Sequence, residues 1–116
     1  MTTTSASQGY RTINPATGEL LKSFDNATDQ QIADALDASQ AAYEQWSRKS
    51  VAERAAVVKR ISELLAERSK DIAAVITTEM GKSLGAAVGE VRYSAQIFGY
   101  SADEAEELLA DQPIKQ

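Results

Sequence analysis

The feature that most constrains the fold is a helical spacing of apolar side chains from Thr28 to the end of the chain. Apolar residues recur there every three or four positions, as they do on one face of an α-helix. Alanine supplies much of this pattern: the 116 residues include 20 alanines, but only 23 Leu, Ile, Val and Phe. A chain of this length forms one domain at most, and its few large apolar side chains limit the core that it can build.

Two of the predicted helices begin at a capping box, in which a hydroxyl and a longer polar side chain exchange hydrogen bonds with the backbone. Thr28 and Gln31 have the required spacing, and so do Ser50 and Glu53. Gly81 is a plausible C-cap. We therefore predict three helices, near residues 28–47, 51–80 and 83–110, and the polar stretch at residues 68–71 is a point where the second helix can bend or restart.

Each predicted helix carries an apolar stripe that needs a partner surface. In the first helix Tyr43 and Trp46 are expected to anchor the core at one end. The seam of the third helix consists of Leu84, Val88, Val91, Ala95, Phe98, Ala102, Ala105 and Leu109. Gly85 and Gly89 lie one turn apart, so another backbone could approach closely there.

A β-hairpin is predicted before the helices, near residues 11–24. Pro15 presets the φ of a turn, and Gly18 can adopt a positive φ. A lone hairpin is marginal in water and must lie on another element. The Thr- and Ser-rich residues 1–9 are expected to form a disordered tail, so the ordered region is residues 10–116 and the fold class is mainly α, a hairpin followed by three long helices.

The composition excludes several kinds of chemistry. The chain has no Cys and no His, which removes disulfides, thiolate nucleophiles, Cys/His zinc sites and imidazole acid–base catalysis. The net charge of −5 argues against a nucleic-acid or anionic-membrane partner. The sequence shows no membrane span and no signal peptide, and a cytoplasmic location is the default expectation.

Three charged motifs favour ordinary structural interpretations. Gly81-Lys82-Ser83 ends like a phosphate-binding P-loop, but Ile76 stands where the first glycine is required and the preceding residues are helical. The acidic cluster Asp103, Glu104, Glu106 and Glu107 is typical of a solvated helix face rather than a metal site. The basic residues Lys59, Arg60 and Arg68 form no stripe with interleaved aromatics. We assign no catalytic, cofactor-binding or metal-binding residue.

The motifs, read in order, resemble the aldehyde dehydrogenase superfamily from about residue 10 to residue 114. The resemblance rests on an ordered series of segments: Ile13-Asn14-Pro15-Ala16-Thr17-Gly18-Glu19, an alanine-rich helix ending in Trp46, Ala52-Glu53-Arg54, Leu64-Leu65 with Arg68, Thr78-Glu79-Met80-Gly81-Lys82 and Gly89-Glu90-Val91. Within the superfamily the sequences of these segments most resemble those of succinate-semialdehyde dehydrogenases.

This resemblance implies the front part of an α/β Rossmann-like cofactor domain in a much longer enzyme. Members of the superfamily oxidise aldehydes with NAD or NADP, through a Cys thiolate, a Glu-activated water and an Asn that helps to hold the oxyanion. Those residues belong to later family segments, so no cofactor is expected for this chain alone. The family also implies contact with the remaining segments of the enzyme and a homo-oligomer, either a dimer or a tetramer.

Two interpretations of the chain follow. It is either the N-terminal portion of an aldehyde dehydrogenase, inactive alone, or a stand-alone helical interaction module. The stop at Gln116 and the uncovered helix faces favour the first. In the family these faces rest partly on later segments, so part of Val88, Val91, Phe98 and Leu109 should stay exposed and the chain should self-associate or pack loosely. The module interpretation predicts a compact monomer instead.

Overall fold

The structure is a computed structural model that describes residues 9–114. In this part of the chain, an antiparallel hairpin precedes five helices. Their bounds are β1 Tyr10–Ile13, β2 Leu20–Phe24, α1 Asp29–Trp46, α2 Val51–Glu67, α3 Ser69–Met80, α4 Leu84–Asp103 and α5 Ala105–Leu108. The predicted fold class, a hairpin followed by long helices, is confirmed. The predicted disordered tail, residues 1–9, lies outside the described residues except for Gly9.

The helix termini follow the predicted capping chemistry. The hydroxyl of Thr28 accepts from the Gln31 N–H at 3.2 Å, and the Gln31 side chain accepts from the Thr28 N–H at 2.9 Å. Ser50 and Glu53 exchange the same pair of bonds, at 3.2 and 2.8 Å. Gly81 ends α3 in the left-handed conformation, with φ of 73°. Both predicted boxes and the predicted C-cap are confirmed.

Two predicted long helices are each divided. The second predicted helix is interrupted at Arg68 and restarts as α3, within the polar stretch where a bend or restart was predicted. Arg68 interrupts the helix because its ψ of 15° lies outside the helical range. The prediction of one helix over residues 83–110 was wrong, since α4 ends at Asp103 and a short α5 follows. Like charges three or four residues apart oppose a helix, and negative charge is unfavourable at its C-terminus. The acidic cluster at residues 103–107 places four carboxylates at this break.

The core lies between α2, α3 and α4 and is built mostly of small side chains. Its fully buried apolar residues are Ala73 on α3 and Ala87, Val91 and Ala95 on α4. Around them pack four half-buried aliphatic residues, Leu65, Ile72, Ile76 and Val88. The small core matches the expected shortage of large apolar side chains.

The buried row of α4 differs from the predicted seam. It runs through Ala87, Val91, Ala95 and Gly99, whereas Leu84, Phe98 and Leu109 are 53%, 38% and 65% exposed. The small residues allow α2 to lie close: Ser62 on α2 donates to the Ala95 carbonyl at 2.7 Å, and a Cβ on Gly99 would lie 3.1 Å from its hydroxyl. The predicted seam is therefore buried at Val91 and Ala95 and half-buried at Val88, Ala102 and Ala105, and it is exposed at Leu84, Phe98 and Leu109. Exposure of Phe98 and Leu109 agrees with the expectation that part of this stripe stays uncovered.

The close approach occurs at a different glycine from the predicted pair. A Cβ added to Gly85 or Gly89 would meet nothing within 4 Å. Both residues are exposed on α4, away from the face that packs on α2. The expectation of a neighbouring backbone at these two positions was wrong; the glycine of α4 with a close neighbour is Gly99, and that neighbour is the side chain of Ser62.

Helix α1 lies outside the core, and each of its residues is exposed. The prediction that Tyr43 and Trp46 anchor the core was wrong: they are 63% and 38% exposed, and only the Trp46 end of the α1 stripe meets other described elements, at the start of α2 and the α4–α5 corner. The radius of gyration is 20.6 Å, compared with about 13 Å for a compact domain of similar length. The fold is therefore elongated, and the large apolar side chains of α1 face solvent.

The hairpin has a bulge and lies against α3. Thr12 pairs with Lys22 and Ile13 with Leu20, so Leu21 is the extra residue of the bulge. Leu21 shares a shallow depression with α3 residues 74, 75, 78 and 79. At the hairpin turn, the Pro15 ring reaches the C-terminus of α3. The hairpin thus rests on α3, as a marginal two-stranded element requires.

Substitution of Gly81 is expected to destabilise the chain in two ways. Gly81 has a positive φ, and a Cβ there would also lie 3.0 Å from the Pro15 ring. We expect Gly81→Ala to cost about 1–2 kcal/mol from the backbone conformation alone. Gly85→Ala is the matched control, because that site is helical and open, and it should stabilise α4 by about 0.5–1 kcal/mol. Urea titration of the helical circular dichroism signal measures both, and shifts of the same sign would contradict the prediction.

Candidate functional site

The start of α2 places an arginine in a mainly apolar cavity. This cavity, here called the Arg54 cavity, has a volume of about 260 Å³ and lies between the end of α1, the start of α2 and the α4–α5 corner. Its walls include the side chains of Trp46, Val51, Val58, Ala105 and Leu109. The Nε of Arg54 is buried and has no hydrogen-bond partner among the described residues. Because a guanidinium keeps its charge at physiological pH, this half-buried side chain is a cation beside mainly apolar walls.

A larger groove has only part of its polar lining engaged. The groove, of about 480 Å³, runs along the α2–α4 contact past Ser62, Arg92, Gln96 and Tyr100. The hydroxyl of Ser62 is bonded to the Ala95 carbonyl. Asp103 accepts from Lys59 with both carboxylate oxygens at 2.7 Å. The remaining polar side chains of the groove are therefore those of Arg92, Gln96 and Tyr100.

The charged motifs serve as surface ties between elements. Lys82 of the Gly-Lys-Ser segment pairs with Glu90 on α4, and Gly81 is a C-cap rather than part of a phosphate loop. Asp103 of the acidic cluster pairs with Lys59 across the α2–α4 contact. All four of these charged side chains are at least two-fifths exposed, and such pairs contribute about 0–1 kcal/mol each. They link neighbouring elements weakly, and no chemistry beyond ion pairing is assigned to them.

The basic residues of α2 also have acidic neighbours. Arg60 donates to Glu63 at 2.9 Å and to Glu67 at 3.2 Å. The hydrogen bond to Glu63, and then that to Glu67, raises the pKa of Arg60. Arg68 lies at the joint between α2 and α3. Two of the three basic residues are thus paired with carboxylates, Arg60 within α2 and Lys59 with Asp103 on α4.

The carboxylate of the second capping box is expected to make α2 sensitive to acid. Hydrogen bonds from the backbone and hydroxyl of Ser50, and then the charge of Lys49, hold the pKa of Glu53 below its ordinary value. A depressed pKa stabilises the fold above the ordinary carboxyl pKa, and this contribution is lost as the pH falls through the lowered value. We expect Glu53→Gln to flatten the acid limb of a stability–pH curve more than Glu44→Gln, which removes an exposed carboxylate outside any cap. Helical circular dichroism in urea, measured from about pH 3 to 7, tests this; equal effects would contradict it.

The described residues do not fit a dinucleotide. Rossmann-type sites use a parallel sheet with a glycine-rich turn that leads from a strand into a helix. Residues 9–114 contain a two-stranded antiparallel sheet, and Gly81 follows a helix. Within the same residues there is no group of three metal-ligating side chains and no helix long and apolar enough to cross a membrane. We assign no catalytic step to these residues.

The Arg54 cavity was not predicted from the sequence, although a signal was present. Arg54 follows Val51 by three residues and precedes Val58 by four, so it occupies a position on the apolar stripe of α2. A cation on such a stripe indicates a half-buried charge that needs a partner. The corner formed by α4 and α5, which closes the cavity, could not be read from that spacing.

Comparisons with known proteins agree on one family. The model of the aldehyde dehydrogenase family matches residues 2–116. The NADP(+) succinate-semialdehyde dehydrogenase of Deinococcus radiodurans is 37% identical over 105 residues, which cover 90% of this chain and 22% of that protein. The NADP(+) succinate-semialdehyde dehydrogenase 1 of Mycobacterium tuberculosis is 41% identical over 102 residues, which cover 88% of this chain and 22% of that protein.

Solved structures give the same result at the level of the fold. The succinic semialdehyde dehydrogenase of Streptococcus pyogenes, solved in complex with NADP+, superposes with a TM-score of 0.86 at 37% identity. The match covers 92% of this chain and 24% of that one. The chain therefore spans about a fifth of the length of the curated relatives that it matches.

Proposed function

We propose, on the premise that this chain belongs to the aldehyde dehydrogenase family, that it forms the N-terminal portion of an NAD(P)-dependent enzyme that oxidises succinate semialdehyde to succinate. The observation that carries the proposal is the end-to-end likeness to succinate-semialdehyde dehydrogenases, which extends over about nine-tenths of the chain. In this proposal residues 10–116 are a hairpin-plus-helices part of the cofactor-binding domain. The enzyme is proposed to be cytoplasmic.

The role proposed for this portion is structural. Its 116 residues lack the Cys that the family uses as its nucleophile, and its described residues do not form a dinucleotide cradle. A nicotinamide cofactor, when bound by the longer enzyme, would supply the hydride-accepting chemistry. The helices of this chain support the sheet that would hold the cofactor, and the remaining segments supply the reacting groups. The longer enzyme is proposed to be a dimer or a tetramer.

A chimera tests the proposal directly. Residues 10–114 would replace the matching segment of the Deinococcus radiodurans enzyme, which is 37% identical to this chain. If the chain is an equivalent portion, the chimera should fold and reduce NADP with succinate semialdehyde. The control lacks the segment altogether and should be inactive. A soluble, folded chimera without activity would contradict the proposal and would favour the stand-alone helical module.

A further inference from the structure

Helix α1 carries an exposed apolar stripe, formed by Ile32, Leu36, Tyr43 and Trp46. Their spacings of four, seven and three positions place all four side chains on one face of the helix. Their exposure ranges from 38% at Trp46 to 67% at Leu36. Only the Trp46 end meets other described elements, at the start of α2 and the α4–α5 corner. The rest of the stripe is a surface on which a partner can bury apolar area.

The two halves of this stripe differ in shape. The N-terminal half presents two exposed aliphatic side chains, Ile32 and Leu36, on consecutive turns. The C-terminal half borders a shallow, mainly apolar depression of about 480 Å³. This depression is lined by Ser39, Ala42, Tyr43, Gln45, Trp46 and Lys49. An aliphatic projection and a depression with aromatic walls on one helix are complementary to each other.

The two halves cannot meet within one chain. Helix α1 is continuous over 18 residues and is therefore about 27 Å long. They do meet when a second copy of α1 lies antiparallel, because Ile32 and Leu36 of each copy then reach the depression of the other. A two-fold axis near Ser39, midway between the ends of the stripe, relates the two contacts, as in an isologous interface.

The charges at the two ends of α1 favour the same orientation. Asp29 lies in the first turn of α1, and Lys49 lies three residues beyond its last residue, Trp46. Both are ten positions from Ser39. An antiparallel pair therefore brings Asp29 of one copy towards Lys49 of the other, whereas a parallel pair brings like charges together. The helix dipoles also attract each other only in the antiparallel pair.

The other charges leave this arrangement open. Lys49 lies 4.0 Å from Glu53 in an exposed i, i+4 contact, so its ammonium can also reach a second carboxylate. By the helical period, three further acids of α1 point away from the stripe: Asp34, Asp37 and Glu44. The net charge of −5 opposes association weakly at physiological ionic strength, where exposed charges more than about 8 Å apart are largely screened.

We propose that the α1 stripe binds a second copy of this chain in an antiparallel, two-fold helix pair. Ile32 and Leu36 of each copy pack into the depression beside Tyr43 of the other, and Asp29 pairs with Lys49 at both ends. One helix from each copy makes a small interface, so the dissociation constant should be micromolar rather than nanomolar. The proposal concerns the 116-residue chain and does not depend on the function proposed above.

Engineered thiols test the orientation, since the chain has no Cys of its own. Two copies of residue 39 meet at the two-fold axis, whereas two copies of residue 47 lie about 24 Å apart in an antiparallel pair. With a short bismaleimide, Ser39→Cys should therefore form a covalent dimer. Ser47→Cys, at the C-cap of α1, is the matched control and should remain a monomer. Equal cross-linking of the two variants, or none in Ser39→Cys, would overturn the proposal.

Charge reversal then tests the ion pairs, by analytical ultracentrifugation at physiological ionic strength. Asp29→Lys and Lys49→Asp should each weaken association about five- to tenfold, because each places like charges at both ends. An equimolar mixture of the two variants should associate like the wild type, since opposite charges then meet again. Asp34→Lys makes the same change of charge off the stripe and should have little effect. Helical circular dichroism verifies that every variant is folded.

Three outcomes would contradict the second-copy interface. The first is an equal loss of association in Asp29→Lys and Asp34→Lys. The second is a mixture that associates no better than either variant alone. The third is a wild-type chain that stays monomeric at concentrations of several hundred micromolar, which would leave the stripe to another segment or to a different partner.

Discussion

Purified alone, the 116-residue chain is expected to produce no NADH or NADPH from succinate semialdehyde. Family chemistry begins with attack of a thiolate on the aldehyde, and this sequence has neither Cys nor His. Among the described residues no group of three His, Cys, Asp or Glu side chains is placed to hold a metal ion that could activate water instead. The loss should be complete rather than partial. Nicotinamide absorbance under saturating aldehyde measures the rate, and a dinucleotide titration measures binding.

The positive control for this experiment is the longer enzyme, which is expected to oxidise the aldehyde to its acid. If the longer enzyme prefers another aldehyde, only the assignment to succinate semialdehyde fails. Robust turnover by the purified 116-residue chain would overturn the account of the missing groups. The coding sequence beyond residue 116 gives an independent check, since the proposal requires a continuing frame with a Cys nucleophile segment.

The second large effect is expected in self-association, through the exposed stripe of α1. Ile32 and Leu36 lie one turn apart and are 50% and 67% exposed. Burial of such side chains stabilises an interface by about 1.5–3 kcal/mol each. We therefore expect the isolated chain to self-associate and to bind an apolar dye. The double substitution Ile32→Gln and Leu36→Gln should weaken the association at least about tenfold, as measured by analytical ultracentrifugation.

A matched control separates stripe burial from a general change in helix polarity. Ala38 and Ala41 lie on the opposite face of α1, by the 3.6-residue period of a helix. Their replacement by Gln adds the same polar groups without removing any large apolar side chain, and it should leave the association unchanged. A monodisperse wild-type monomer with a sharp, cooperative melt would contradict the prediction. It would also favour the stand-alone module.

The sequence was most informative where structure is decided within one helical turn. Thr28 with Gln31 and Ser50 with Glu53 fix their helix starts through bonds between residues three positions apart. Gly81 terminates α3 because the left-handed backbone conformation at that position favours glycine. These features need no knowledge of the rest of the fold. Their local physics made them predictable.

Features that depend on contact between distant residues were not predictable from spacing. The Lys59–Asp103 pair joins residues 44 positions apart. Which face of α4 is buried depends on how closely α2 approaches, and the fit of Ser62 against Gly99 favoured small residues over Phe98. Trp46 looked like a core anchor because its stripe is apolar, but burial in the core also depends on how the other helices pack. The same limitation hid the Arg54 cavity, whose lining comes from α1, α2, α4 and α5.

The contact between Pro15 and Gly81 has a consequence for the order of events during synthesis. The hairpin leaves the ribosome before the helices, but the surface on which it rests is the C-terminal half of α3. Because a two-stranded sheet is marginal alone, the hairpin cannot gain its support until residue 81 has emerged. At about 5–20 residues per second, the nascent chain therefore carries an unsupported hairpin for several seconds, while α1 and α2 are already free to form. The hairpin is thus made before α3 but becomes stable only after it.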